Sequence, residues 1–214
     1  TYTVSDGQFN CESCLPPYSV AANGEWQSVD RPGMDGQMIE IVDNNTMKSS
    51  ARFGDKDIGN STWTVSDDGQ TMTIAWNDLE GEEAVSGSTN FTRTEAGPDG
   101  AHAVSGSWTV SEIGDMSDAG LTFGFEIEGD QYTSTGNSNT FTATLGGEAV
   151  AIEGSNSGTM VAVEQISATS YRETYTRDGE VIGVTDLTVD GDTLSGVGTD
   201  PRDDSIVRWT ASRQ

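Results

Sequence analysis

The fold class is decided by residues 61–78, "STWTVSDDGQTMTIAWND". Trp63 and Val65 alternate with polar residues before an Asp-Asp-Gly turn signal. After that signal an apolar residue returns at every second position (Met72, Ile74, Trp76). Alternation with a period of two places apolar side chains on one face of a β-strand. The segment therefore predicts an antiparallel hairpin with one buried face.

The same pattern occurs along most of the chain. Residues 179–200, "GEVIGVTDLTVDGDTLSGVGTD", repeat it with Asp190-Gly191 as the hairpin signal. No long segment carries apolar residues at i, i+3, i+4 and i+7, the spacing typical of an amphipathic helix. We therefore predict an all-β chain of antiparallel up-and-down meanders, closed into a barrel or packed as a sandwich.

The charge of the chain narrows the partners that we expect. Acidic residues outnumber basic residues 35 to 10, which gives a net charge of −25. Such a surface repels nucleic-acid phosphates and anionic lipid headgroups, so neither is an expected partner. No apolar run approaches about 18 residues, so we expect no membrane insertion. The charge favours solubility in a salty, halophilic or marine medium, and attraction of cations or of a basic partner is the alternative.

An internal repeat organises the sequence. Four segments of the first half align, in the same order, with four of the second: 22–29 with 145–152, 38–41 with 160–163, 61–78 with 184–200, and 88–95 with 206–213. Between the halves lies "TEAGPDGAHA" (94–103), a turn or linker signal. We predict repeat 1 at residues 1–97, which includes the N-terminal CxxC segment, and repeat 2 at residues 104–214.

The first repeat is shorter than the second before their first shared strand. We therefore expect repeat 1 to lack one or two opening strands and to expose a sheet edge. An exposed edge recruits another strand. That strand would come from the second repeat, from the N-terminal segment "TYTVSDGQF" (1–9), or from another molecule.

Residues 106–214 resemble the lipocalin-like domains of small secreted bacterial proteins, and residues 18–95 resemble them through the repeat. The resemblance rests on the Gly-x-Trp strand "GSWTV" (106–110), the hairpin "YTRDGEVI" (175–182), the hairpin "DGDTL" (190–194) and a last aromatic strand. It implies a lipocalin-like β-barrel from each repeat, or one barrel that both repeats share. It also implies that Trp108 packs at a closed barrel end beneath a late arginine, Arg208.

A lipocalin-like barrel holds a small apolar ligand, so the resemblance implies aromatic residues that line a pocket. The candidates are Trp26, Trp63, Trp76, Phe123, Phe125, Tyr175 and Trp209. The same side chains are equally suited to fill a solid core, because narrow barrels are packed with side chains.

The only two cysteines, Cys11 and Cys14, form a CxxC motif. Covalent haem attachment would need histidine where Leu15 stands. A structural zinc site needs four N/S ligands, and His102 is the single histidine. A thioredoxin-like couple would open a helix in a βαβ unit, which the pattern does not predict. We predict a local disulfide over a Glu12-Ser13 turn, with free thiols and a redox or metal pair as the alternatives.

The chain starts at Thr1, without an initiator methionine. A secreted protein after signal-peptide removal begins in this way, and so does a truncated chain. A disulfide fits the oxidising surroundings of an extracellular or periplasmic protein.

Three functions remain as hypotheses. The first is a secreted, non-catalytic barrel that binds a small apolar ligand and needs no cofactor or metal. The second is a structural subunit of an extracellular assembly or filament that self-associates through an exposed or donated edge strand. The third is an enzyme with a carboxylate pair in a barrel mouth. Glu126 and Glu128 lie on one strand face, and a solvated outer face is their competing interpretation.

Overall fold

A computed structural model describes all residues 1–214. Strands account for 63% of the residues and helix for 2%, and all strand pairs are antiparallel, which confirms the predicted all-β fold class. No helix has the length and apolar character needed to span a bilayer. The chain divides into two compact units, unit 1 (Thr1–Thr122) and unit 2 (Phe123–Gln214).

Unit 1 is a nearly closed barrel of ten strands followed by the single-turn helix α1 (Asp118–Leu121). Its strands in chain order are β1 (Tyr2–Ser5), β2 (Gln8–Cys11), β3 (Tyr18–Ala21), β4 (Gln27–Arg31), β5 (Met34–Ile41), β6 (Thr46–Phe53), β7 (Lys56–Val65), β8 (Thr71–Asp78), β9 (Val85–Ala96) and β10 (Gly106–Met116). In the sheet they stand in the order β3-β2-β1-β10-β9-β8-β7-β6-β5-β4.

The two end strands of this sheet, β3 and β4, approach each other and nearly close the barrel. Arg31 at the end of β4 donates a hydrogen bond to the backbone carbonyl of Pro16, just before β3. The enclosed core contains side chains from seven strands, with Val104 contributed by the segment before β10 (Val4, Phe9, Cys11, Val20, Ile39, Met47, Val65, Met72, Val104).

The division between the units falls at Thr122/Phe123, whereas the sequence repeat predicts it between residues 97 and 104. The difference comes from β10, the Gly-x-Trp strand, which pairs with β9 over most of its length. The strand predicted to open the second repeat is therefore part of the sheet of unit 1. The N-terminal hairpin β1–β2 belongs to the same sheet, because Tyr2 of β1 pairs with Gly106 of β10. A free sheet edge offers backbone groups to any strand that reaches it, and here these two segments occupy it.

Unit 2 has nine strands in two sheets. A three-stranded sheet contains β11 (Gly124–Glu128), β12 (Gln131–Thr135) and β13 (Thr140–Thr144). A six-stranded sheet contains β14 (Val150–Ala151), β15 (Met160–Ser167), β16 (Ser170–Arg177), β17 (Glu180–Asp190), β18 (Thr193–Asp200) and β19 (Ser205–Ser212). One bridge, Thr140 with Glu153, links the sheets, and both contribute to one core (Tyr132, Phe141, Ala143, Val161, Val163, Leu187).

Each unit contains a six-strand meander in simple up-and-down order, β4 to β9 in unit 1 and β14 to β19 in unit 2. These meanders contain the segments that the predicted repeat aligns.

The hairpin at Asp178-Gly179 has the backbone geometry of a two-residue turn, since both residues adopt positive φ (51° and 83°). A two-residue hairpin of this handedness requires positive φ at both positions, which Asp tolerates and Gly adopts freely.

The predicted disulfide is present: Cys11 at the end of β2 is bonded to Cys14, and their Cα atoms lie 5.4 Å apart. Cys11 is buried in the core of unit 1. The four-residue loop that the bond closes also receives the chain terminus, because the Thr1 amino group donates to the Ser13 hydroxyl and the Glu12 amide donates to the Thr1 carbonyl. The bond thus fixes the segment between β2 and the strand that nearly closes the barrel.

Replacing both Cys11 and Cys14 with serine is expected to lower the free energy of unfolding by about 2 kcal/mol. The closed loop is very short, so the chain-entropy contribution is small compared with that of a long loop. Urea unfolding of the variant and of the native chain measures the difference. Two free thiols in native, unreduced protein, detected by Ellman titration after unfolding, would contradict the disulfide itself.

Candidate functional site

The seven aromatic residues predicted to line a ligand site are divided between the two units. In unit 1, Trp63 packs against the core, with its ring 4.9 Å from that of Tyr2 and 6.1 Å from that of Phe9. Its indole nitrogen donates to Ser61 Oγ, 2.8 Å away. Trp63 therefore belongs to a packed aromatic cluster of the barrel interior.

The other two predicted ligand residues of unit 1, Trp26 and Trp76, make contacts of their own. The guanidinium of Arg52 stacks 4.5 Å above the ring of Trp26. Trp76 covers the backbone of Gly87 on the neighbouring strand so closely that a Cβ at Gly87 would clash with the ring. No ring contact joins these three tryptophans, although Trp63 and Trp76 lie on the same face of the β7–β8 ladder.

Unit 2 brings its predicted aromatics together. The ring of Phe123 lies 5.3 Å from that of Phe125 and 5.4 Å from that of Trp209, and Phe125 lies 5.9 Å from the buried Tyr132. Phe125 and Ile127 stand on the core face of β11, because Ile127 is directly opposite Tyr132 across the ladder. Nevertheless Phe123, Phe125 and Ile127 remain 39%, 37% and 43% exposed. We call this exposed inner surface, with Trp209, the aromatic wall.

Behind the aromatic wall lies a buried carboxylate that the sequence reasoning missed. Glu173 on β16 is only 4% exposed. Its Oε1 accepts a hydrogen bond from the Tyr132 hydroxyl (2.8 Å), and its Oε2 accepts one from the Tyr175 hydroxyl (2.7 Å). No basic side chain forms an ion pair with it. The signal was the segment "YRETY" (171–175), where a glutamate takes the same strand face as two tyrosines.

The environment of Glu173 shifts the pKa values of all three groups. Burial raises the pKa of Glu173, and the two tyrosine hydrogen bonds offset part of this effect because they stabilise the charged form. Burial, reinforced by the negative charge of Glu173, raises the pKa of both Tyr132 and Tyr175. The tyrosines therefore stay protonated and act as fixed hydrogen-bond donors. Tyr175, a predicted ligand residue, serves here to hold Glu173.

The carboxylates of β11 lie on its opposite face. Glu126 and Glu128 alternate with the inward-facing Phe125 and Ile127, and both are exposed. This is the arrangement of a solvated outer face. Glu173 is the one carboxylate in the buried core of either unit, and tyrosines occupy both of its oxygens.

The arginine above the Gly-x-Trp tryptophan is Arg93 and not Arg208, the residue that the resemblance implies. The Arg93 guanidinium lies 4.0 Å above the ring of Trp108 and donates to the backbone carbonyls of Gly69, Ala103 and Ser105. Arg93 is on β9, the ladder partner of β10, whereas Arg208 belongs to unit 2. The tryptophan and its arginine are thus built from adjacent strands of unit 1.

His102, the single histidine, has a structural position at one end of unit 1. Its Nδ1 accepts from the Val104 amide, which places the proton on Nε2, and Nε2 donates to the Asp43 carbonyl 2.7 Å away. It borders an open surface depression of about 460 Å³ that is also lined by Val4 and Ile41. Both ring nitrogens are engaged by backbone groups, so this depression offers no free side-chain base.

No family model, curated protein or solved structure matches the chain. The class of protein is defined by the fold alone: an antiparallel all-β chain with a nearly closed barrel in unit 1.

Proposed function

We propose that unit 2 binds a small apolar ligand on the aromatic wall, and that the protein is secreted. The observation that carries the proposal is the exposure of Phe123 and Phe125 on the inner face of the sheet. Core-facing aromatic side chains are normally buried, and exposed contiguous apolar surface is typical of binding sites. A ligand that covers these rings would remove that surface from water.

The geometry of the wall favours a flat, uncharged ligand. Phe123 meets Phe125 and Trp209 edge to face, at interplanar angles of 72° and 74°. Rings in this arrangement offer both faces and edges to an aromatic guest. A negatively charged ligand is disfavoured, because Glu126 and Glu128 stand on the same strand and the chain carries a net charge of −25.

The proposed secretion is supported by the Cys11–Cys14 disulfide. Disulfides persist in oxidising compartments and are rare where glutathione keeps thiols reduced. The strongly acidic composition suits a salty medium, in which screening limits self-repulsion.

Replacing Phe125 with alanine is expected to weaken binding of the neutral dye N-phenylnaphthylamine by roughly threefold to sixfold. Full burial of a phenylalanine side chain is worth about 1.5–3 kcal/mol, and a ligand can cover only the 37% of Phe125 that is still exposed, which corresponds to about 0.6–1.1 kcal/mol. Dye fluorescence during a protein titration measures the affinity.

The matched control is Ile166→Ala, which removes an apolar side chain of unit 2 that is 56% exposed and lies outside the wall. This variant is expected to bind the dye like the native protein. Absence of saturable binding by the native protein, or an equal loss in the two variants, would contradict the proposed site.

A further inference from the structure

Four strands of unit 2 stand at a sheet edge. The bridge between Thr140 and Glu153 links the edges of β13 and β14, whereas no bridge covers the edges of β11 and β19. β11 forms a ladder only with β12, and β19 forms one only with β18. Both ladders run without a bulge, whereas β10, the other strand with a long free edge, is interrupted by three register shifts in its ladder with β9. Bulges protect an edge from further pairing, and a regular edge is a template for another strand.

The inner faces of these two edges are both apolar. On β11 the inner face carries Phe125 and Ile127, as shown by the pairing of Ile127 with Tyr132. On β19 it carries Val207 and Trp209, because Trp209 packs against the core of unit 2. Val207 is 59% exposed, so the inner face of β19 is also accessible to a partner at this residue.

The outer faces of the two edges carry opposite charge. β11 presents Glu126 and Glu128, and Arg208 is the only charged residue within β19. Arg208 is exposed and forms no hydrogen bond or ion pair. By contrast, Arg172, Arg202 and Arg213 in the same unit each pair with an aspartate (Asp186, Asp200 and Asp192). An arginine without a partner is conspicuous in a chain with a net charge of −25.

We propose that β19 of one copy of this chain pairs with β11 of a second copy, antiparallel, with Arg208 opposite Glu126. This register places Val207 opposite Ile127 and Trp209 opposite Phe125 on the inner face. All five residues of β11 then find a cross-strand partner. The second copy thereby extends the aromatic wall of the first. The pairing needs no ligand, so it stands independently of the proposed binding function.

Pairing within one chain is the competing arrangement. Phe123 already contacts Trp209, so the two edges lie close together at that end. Even so, no ladder joins β11 with β19, and every residue of β11 is exposed, as are Ser205–Arg208 of β19. The edges are left free for a partner in trans.

Electrostatics sets the conditions under which association occurs. Each copy carries a net charge of −25, so two copies repel each other at long range. The Debye length falls from about 30 Å at 0.01 M salt to about 8 Å at 0.15 M. We expect the association to strengthen between these salt concentrations, because screening removes the repulsion of the whole copies and weakens only one Arg–Glu pair.

The test is sedimentation velocity of the full chain at 0.15 M salt, over a protein concentration range from about 1 µM to about 500 µM. The native protein is expected to shift to larger species as its concentration rises. Arg208→Glu places two carboxylates opposite each other and is expected to raise the dissociation constant roughly tenfold. The double variant Arg208→Glu/Glu126→Arg reverses both charges and is expected to restore the native affinity.

Lys48→Glu is the matched control, since it makes the same charge change on an exposed residue of β6 in unit 1 and should leave the affinity within about twofold of native.

A native protein that is monomeric at every concentration overturns the proposal. So does concentration-independent protection of the β11 and β19 amides from hydrogen exchange, which would indicate closure within one chain. A double variant that does not recover places the contact on another surface. A monomer that binds N-phenylnaphthylamine overturns the pairing alone, and a self-associating protein that does not bind the dye overturns the ligand site alone.

Discussion

Replacing both Tyr132 and Tyr175 with phenylalanine is expected to lower the free energy of unfolding at pH 7 by about 3–6 kcal/mol. Each hydroxyl donates to one oxygen of the buried Glu173 carboxylate. A hydrogen bond to a charged group contributes about 1.5–3 kcal/mol, and its loss here leaves a buried carboxylate oxygen without a donor. Urea unfolding at pH 7 measures the loss.

The same variant is expected to lose less stability at pH 4. Burial raises the pKa of Glu173, so the folded protein binds this proton more tightly than the unfolded chain, whose glutamate pKa is about 4.3. The stabilisation that comes from protonating Glu173 is therefore complete below the unfolded pKa and is lost as the pH rises through the folded pKa. Without the two tyrosine donors the folded pKa rises further, so the penalty grows with pH.

Tyr171→Phe is the control for this prediction. Tyr171 also packs against Tyr132, but its hydroxyl accepts only an exposed hydrogen bond from Gln165. Its loss is expected to cost less than about 0.5 kcal/mol at either pH. Equal penalties for the tyrosine pair at pH 4 and pH 7 would show that Glu173 is not charged in the folded protein at neutral pH.

Replacing Arg93 with leucine is expected to destabilise unit 1 by about 3–5 kcal/mol. The guanidinium donates to three backbone carbonyls from two separate segments. Gly69 lies in the turn between β7 and β8, and Ala103 and Ser105 lie in the segment directly before β10. It also stacks on Trp108, which adds a cation–π contribution of about 0.5–2 kcal/mol. The loss is smaller than the sum of these contributions, because some of the freed carbonyls regain hydrogen bonds to water.

Arg93→Lys separates the role of charge from that of geometry. Lysine keeps the charge but lacks the planar fork that reaches three acceptors, so this variant is expected to lose more than half of the stabilisation. The control is Arg172→Leu, which breaks an exposed ion pair with Asp186 and is expected to cost less than about 1 kcal/mol. Urea unfolding followed by near-ultraviolet circular dichroism measures all three. A similar effect for Arg93→Leu and Arg172→Leu would refute the bracing role of Arg93.

Local pattern was sufficient for much of this fold. Alternation in residues 61–78 predicted two strands and the face that each buries, and both are observed as β7 and β8. The Asp190-Gly191 signal predicted a hairpin, which is observed between β17 and β18. The two cysteines were predicted to form a local disulfide over a Glu12-Ser13 turn, and that bond is present. Each of these outcomes depends on forces between residues that are near in sequence.

Local sequence pattern does not predict which strands pair with each other. The Gly-x-Trp strand β10 has the pattern of an opening strand for unit 2, yet it pairs with β9 of unit 1. Backbone hydrogen bonds are the same for every strand, so alternation defines a strand and its buried face but does not name the strand beside it. The same limit explains why Arg93 and not Arg208 covers Trp108.

The candidate site was predicted in part from residue type, and the rest of it depends on tertiary contacts. Phe123, Phe125 and Trp209 were identified as aromatic candidates from residue type, and the fold brings these three into contact. Trp26, Trp63 and Trp76 are equally aromatic, but no ring contact joins them. Glu173 was not predicted as a site residue, because it is one of 35 acidic residues in the chain. Its burial depends on Tyr132, a residue 41 positions away that comes to it from the opposing sheet. Composition and the two-residue alternation of apolar side chains establish an acidic, antiparallel β protein. Which side chains are buried, paired or exposed depends on pairing and packing between strands that are distant in sequence.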